Sequence, residues 1–328
     1  MAGVTARARV VVALTFLLGA CGGGTGSAGG PPATTAPAPT AVTTPTLPGA
    51  TTTATETTTT VLSPPVVSSL SLGDGKRSTG PEAGSVFACQ TSFGPAGGAF
   101  RDGPWIRADG TWDPTAKLHV QGEVAWPQGE YDVRVEGATR LITTNGVPGQ
   151  ATTGVFPVAA DDPAYQYDRN PNVIRPRTLA VGVTSMPVVA ATPACVNMGA
   201  VGVLNDGVAL FNALDAQGRD AAAHEILDHC DGHPERTGQY HHHEVPSCML
   251  ARATGRSTLV GYAFDGFGIF VERHADGSLL TDAELDGCHG RIGPVSWDGA
   301  TVDLYHYVAT AEYPYTVGCY RGTPVTAR

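Results

Sequence analysis

Apolar and polar residues alternate with a period of two through "KLHVQGEVAW" (117–126) and "YDVRVEGATRLITT" (131–144). That period puts one face of an extended chain into a core and the other into water, so it predicts half-buried strands. "TLAVGVTSMPVVA" (178–190), "LVGYAFDGFGIFVER" (259–273) and "TVDLYHYVAT" (301–310) read as further strands, divided by turn residues. A helical stripe is rare. "DAAAHEILDHC" predicts a helix over 220–230, and "TDAELDGC" (281–288) a short one, capped by Thr281 with Glu284 three residues on. The pattern predicts a mainly antiparallel β fold with one or two short helices.

The C-terminal half is written twice. "NDGVALF" (205–211) returns as "FDGFGIF" (264–270), and "LDHCDGH" (227–233) as "LDGCHGR" (285–291). "YHHH" (240–243) returns as "YHYV" (305–308), and each copy then carries an acid, a proline and a cysteine, in "EVPSC" and "EYPYTVGC". Four matched elements in one order predict two related units, 201–260 and 261–328, facing one another behind a β-rich part at 81–200.

The repeat decides how the histidines are weighed. On a strand, His241 and His243 project from one face, and Tyr240 and His242 from the other. His306 occupies the place of His241 in the second unit, while Val308 stands where His243 does. If a pseudo-twofold axis brings the two strands together, His241, His243 and His306 converge. Three imidazoles suit zinc or copper and leave a position open for water or substrate, with His233 of the "CDGH" turn as a fourth ligand or a supporting group. His242 is expected at the surface or behind the ligands. The competing reading is metal-free: each imidazole is a buried hydrogen-bonding node, satisfied by carbonyls or by Asp228, Asp231, Asp265 and Asp286, in a binding or structural module of the cell envelope.

The rest of the chain fixes the compartment. Arg7 and Arg9 precede an apolar run from Val10 to Ala20, about half the ~20 residues that span a bilayer, which predicts a signal peptide over 1–20. The run ends in "LGAC" (18–21), a lipobox-like sequence that predicts lipidation of Cys21 and a tether to the membrane at the bacterial cell surface. Residues 21–80 are rich in Thr, Pro, Gly and Ala and poor in apolar bulk, so they are expected to form a disordered linker ahead of the domain at 81–328.

Six of the seven cysteines remain after Cys21, an even number in an exported chain, and no C-x-x-C pair occurs. The repeat suggests Cys230 with Cys248 and Cys288 with Cys319, each closing one unit, which leaves Cys89 with Cys195. The net charge of −10 becomes −12 without Arg7 and Arg9, and the acidic balance without a basic cluster argues against nucleic acid as a partner. "HEILDH" (224–229) misses the zinc-protease pattern because Asp228 stands where a second histidine belongs. No G-x-S-x-G elbow and no phosphate-cradling glycine loop is present. Trp105, Trp112, Trp126 and Trp297 are candidates for stacking on sugars, and equally for core positions.

These elements resemble the YHYH-domain family of bacterial exported proteins. The naming motif falls on "YHHH", where His241 and His243 match and His242 replaces a tyrosine. Further matches are "TTNGVPGQATTGVFP" (143–157), "NPNVI" (170–174), "GVLNDGVALFNALDA" (202–216), "CDGHPERTGQYHHH" (230–243), "GYAFDGFGIF" (261–270) and "YHYVATAEYPYTVGCYRG" (305–322). The resemblance implies no particular activity. It does imply a histidine after "NGVP", where this chain has Gln150.

Overall fold

The computed structural model describes residues 67–95 and 97–326, all within one compact unit, Thr59–Arg328. The expected signal peptide, Cys21 and most of the expected linker lie outside the described residues. The linker expectation fails over its last stretch. Leu70–Ser71 pairs with Thr111–Trp112, Arg77–Ser78 pairs with Val86–Phe87, and the Gly73 N–H donates to Asp220 at 2.9 Å. The segment has little apolar bulk of its own, but it borrows that of its neighbours. Leu70 is buried in the same core as Trp112, and Gly73 lies so close to the Tyr313 ring that a Cβ there would come within 2.2 Å.

A three-stranded antiparallel sheet holds β1 (Tyr131–Glu136), β2 (Thr139–Thr144) and β3 (Leu179–Thr184). Its middle strand alternates half-buried and buried residues, as the sequence period requires. "KLHVQGEVAW" contributes less than expected, only the two-residue strand Val124–Ala125 and a bridge from Val120 to Asp228.

The principal sheet has eight strands in two halves. The first half holds β4 (Ala200–Leu204), β5 (Ala209–Phe211), β6 (Gly232–Pro234) and β7 (Tyr240–His242). The second holds β8 (Ser257–Ala263), β9 (Gly268–Glu272), β10 (Gly290–Trp297) and β11 (Ala300–Ala309). Their order is β6-β7-β5-β4-β8-β9-β11-β10. Reading outward from the centre, each half has an antiparallel hairpin, a parallel neighbour and an antiparallel edge strand. The halves meet along the antiparallel pair β4 and β8, so they lie side by side in one sheet.

The hairpin turns are built alike. Gly207 and Gly266 sit at φ 88° and 94°, a region that an L side chain rarely adopts, and Asp206 and Asp265 each accept a hydrogen bond from the backbone N–H two residues on. All three disulfides join the expected pairs, Cys89–Cys195, Cys230–Cys248 and Cys288–Cys319.

The helix expected over 220–230 stops after one turn, α1 (Ala221–His224). Its donors and acceptors are taken by tertiary partners. The Ile226 N–H donates to Asp168, and the Leu227 carbonyl accepts from the Val120 N–H at 2.9 Å. The second expected helix is a 3-10 turn, Asp282–Glu284, with the capping box between Thr281 and Glu284 in place, and a four-residue α2 (Ser247–Leu250) was not foreseen. Trp105, Trp112 and Trp297 are buried core residues, and Trp126 packs against that core.

Candidate metal centre

β6 and β7 pair in a register that sets His233 directly across from His241. His243, two residues on, shares the face of His241. All three side chains are buried, and their ring nitrogens converge as a group that could hold a metal ion. His233 Nε2 lies 3.0 Å from His241 Nε2, which lies 3.2 Å from His243 Nε2. Phe211 of β5 stacks over the His241 ring at 3.8 Å between centroids and closes the cluster on one side.

A fourth group joins them. Glu225 follows α1 directly in extended conformation, and its Oε2 stands 3.2 Å from His233 Nε2 and 3.1 Å from His243 Nε2. The sequence reading missed Glu225, because it sat inside "HEILDH", where a continuous helix would have carried it elsewhere. The only signal was the acid itself. His224 and Asp228 of that segment are not ligands: His224 bridges Asp74 and Asp102 at 2.9 Å each, and Asp228 accepts from the Tyr240 hydroxyl at 2.9 Å.

The backs of the imidazoles set their tautomers. His243 Nδ1 lies 2.6 Å from the Asn212 carbonyl, and His241 Nδ1 lies 3.2 Å from the Gln239 carbonyl. A carbonyl only accepts, so both rings carry hydrogen on Nδ1 and, when neutral, present a bare Nε2 lone pair. Two bare nitrogens then face each other at 3.2 Å, with a carboxylate oxygen 3.1 Å from one of them. That arrangement is repulsive without a cation or an added proton between them. Glu225 Oε2 and His233 Nδ1 are buried without a hydrogen-bond partner among the described residues. Four of the six donor–donor edges, 3.0 to 3.2 Å, are close to the ~3.3 Å expected between ligands about 2.0–2.1 Å from a tetrahedral ion.

Electrostatics follow the geometry. Burial opposes ionisation of Glu225, but His233 and His243 hold its carboxyl well below the usual range. Burial depresses His233, yet the Glu225 charge pushes it above the ordinary imidazole value. Burial, then the two neighbouring imidazoles, push His241 well down.

His306 does not join this group. Because the halves lie side by side, four strands separate β7 from β11, or roughly 24 Å at the ~4.8 Å spacing of paired strands. His306 holds the Leu304 carbonyl through Nδ1 at 2.9 Å and faces Glu272 through Nε2 at 3.3 Å. In register across from it stands Arg291, where the first half has His233. His242 is not at the surface. It is fully buried, and its Nε2 lies 3.2 Å from Asp206. In the second half the Tyr307 hydroxyl donates to Asp265 at 2.6 Å, so His242 does the work of that tyrosine.

The Tyr-His strand, its aspartate anchors and its glycine turn are thus laid out around one buried cluster. Residues 180–281 match the family model described as YHYH protein. The YHYH match takes in β3, the whole first half of the principal sheet, and β8 and β9. Every ligand candidate of the His233 cluster, Glu225 included, falls inside it, while His306 falls outside. No curated protein and no solved structure matches the chain. Gln150, where the YHYH resemblance implied a histidine, is an exposed residue whose carbonyl accepts from Arg252.

Proposed function

We propose that this chain is a metal-binding module of the bacterial cell envelope, tethered through acyl chains on Cys21, in which His233, His241, His243 and Glu225 hold one transition-metal ion. The observation that carries this reading is the pair of imidazoles that are both fixed by Nδ1 to carbonyls and left with bare Nε2 atoms 3.2 Å apart. Metal-bound histidines characteristically donate their second nitrogen in this way. Zinc is the first candidate and copper the second, because the donor set is imidazole and carboxylate without sulfur.

The contrast between the halves supports the same reading. The halves share strand order and pairing, and we infer that they are copies of one unit. In the second copy the guanidinium of Arg291 stands 3.6 Å from Glu272 beside His306, a permanent positive charge. In the first copy His233 occupies that place, and the positive charge has to come from a proton or a metal.

With Glu225 as fourth ligand the site has no open position, and the ion acts as a lock that ties α1 to the β6–β7 hairpin. Metal analysis of protein purified without an affinity tag tests this: one equivalent of zinc or copper per chain is expected, or uptake of one equivalent after chelation, with a rise in melting temperature. The second reading is a metal-free network, favoured by the ion pair that Glu225 and His233 form at 3.2 Å. Absence of stoichiometric metal, no uptake and an unchanged melting temperature would establish that reading instead.

A further inference from the structure

A cavity of about 750 Å³ opens beside the histidine cluster. The segments that carry the ligands also build its wall. Ala222 precedes Glu225 by one turn, Asp231 lies two residues before His233, and Glu244 follows His243 on the opposite side of the chain. The volume is in the range of sites for small organic ligands. Leu70, Trp112, Leu250 and Leu280 supply an apolar lining.

The charged groups in the lining are unevenly matched. Lys117 is the single lysine or arginine, against Asp231, Glu244 and Glu312. Lys117 Nζ is engaged by the Ala222 carbonyl. Asp231 accepts from the Ser247 N–H at 2.7 Å and has His119 3.7 Å away, and Glu312 accepts from the Asp282 N–H at 2.7 Å. The histidines His229 and His274 face Thr152 and Glu284, at 3.0 and 3.2 Å. Glu244 alone has no side-chain hydrogen bond or ion pair with another described residue.

We propose that this cavity binds a small apolar amine, with the ammonium group on Glu244 and the hydrocarbon or aromatic body against Leu70, Trp112, Leu250 and Leu280. An ammonium brings three donors to a carboxyl whose acceptors are unmet, and its charge offsets the excess of carboxylates. A ligand carboxylate would instead face Asp231 and Glu312 in a wall that has one lysine. The cavity is formed by the protein chain alone, so the inference does not depend on the metal.

Calorimetric titration of the full chain with tryptamine, indole-3-propionate and tryptophol tests it, since these probes share one ring and differ in an ammonium, a carboxylate or a hydroxyl. Tryptamine should saturate one site per chain and bind about tenfold more tightly than tryptophol, the size of one charge-assisted hydrogen bond, and indole-3-propionate should bind most weakly. Glu244→Gln, which keeps the size of the side chain, should weaken tryptamine about tenfold and leave tryptophol within about twofold. The proposal is overturned if wild-type protein shows no saturable tryptamine binding, if tryptamine gains nothing over tryptophol, if the carboxylate binds as well as the amine, or if Glu244→Gln leaves tryptamine unaffected.

Discussion

His306 Nε2 meets Glu272 Oε2 at 3.3 Å, and Arg291 comes within 3.6 Å of the same oxygen. Here the Arg291 guanidinium already supplies the positive charge beside Glu272. His306→Ala should therefore cost stability, about 1–3 kcal/mol for a buried partner left unpaired, and leave metal content unchanged. His241→Ala should abolish metal binding and make the melting temperature insensitive to chelator. Loss of metal in the His306 variant would show that the two halves share a site after all.

His242 stands in the first half where the second half has Tyr307. Replacing it by alanine leaves the buried Asp206 carboxyl without its imidazole partner, and a loss of about 1–3 kcal/mol is expected in chemical denaturation. His242→Tyr restores the residue that pairs with Asp265 at the equivalent place and should retain most of the stability, because a phenol also donates to the aspartate. Equal damage from both changes would mean that the imidazole is needed for itself.

The Cys230–Cys248 bridge closes a loop of 18 residues that contains His233, His241 and His243. Removing it by paired Cys→Ala changes should lower stability by about 3 kcal/mol and weaken metal binding, since the ligands are then more mobile before binding. The same change at Cys288 and Cys319 should lower stability by a similar amount and leave metal affinity alone. Identical metal affinities in the two variants would count against a lock confined to the first half.

Asp282 and His289 give the fold an opposed pH response. Burial and the Glu312 charge push Asp282 up to about 7, and burial pushes His289 down to about 3. Asp282 contributes stability that is lost as pH rises from its ordinary value of 3.8 through about 7. His289 contributes stability that is lost as pH falls from its ordinary value of 6.5 toward about 3. Between these limits the two offset each other. Asp282→Asn should thus be more stable than wild type above pH ~7 and lose stability more steeply on acidification, as read from melting temperatures across that range. Parallel wild-type and variant curves would refute the pairing.

The sequence by itself determined whatever depends on local period and covalent order. Alternation placed His241 and His243 on one face, and it gave β1 and β2 their inward and outward sides. The matched elements were enough to pair Cys230 with Cys248 and Cys288 with Cys319, because each pair closes a loop within one half. The match of "NDG" and "FDG" likewise marks two turns of the same build, since a glycine at positive φ after an aspartate is a local requirement.

Tertiary structure decided what depends on how the halves meet. The sequence does not say whether two related units pack face to face or extend one sheet, and the β4–β8 pairing chose the second, carrying His306 away from His241. Nor does the helical pattern of "DAAAHEILDHC" show that Asp168 and Val120 take its backbone groups after one turn. That early exit is what brings Glu225 to His233 and His243, and the propensity of a short segment has no term for partners that arrive from residues far along the chain.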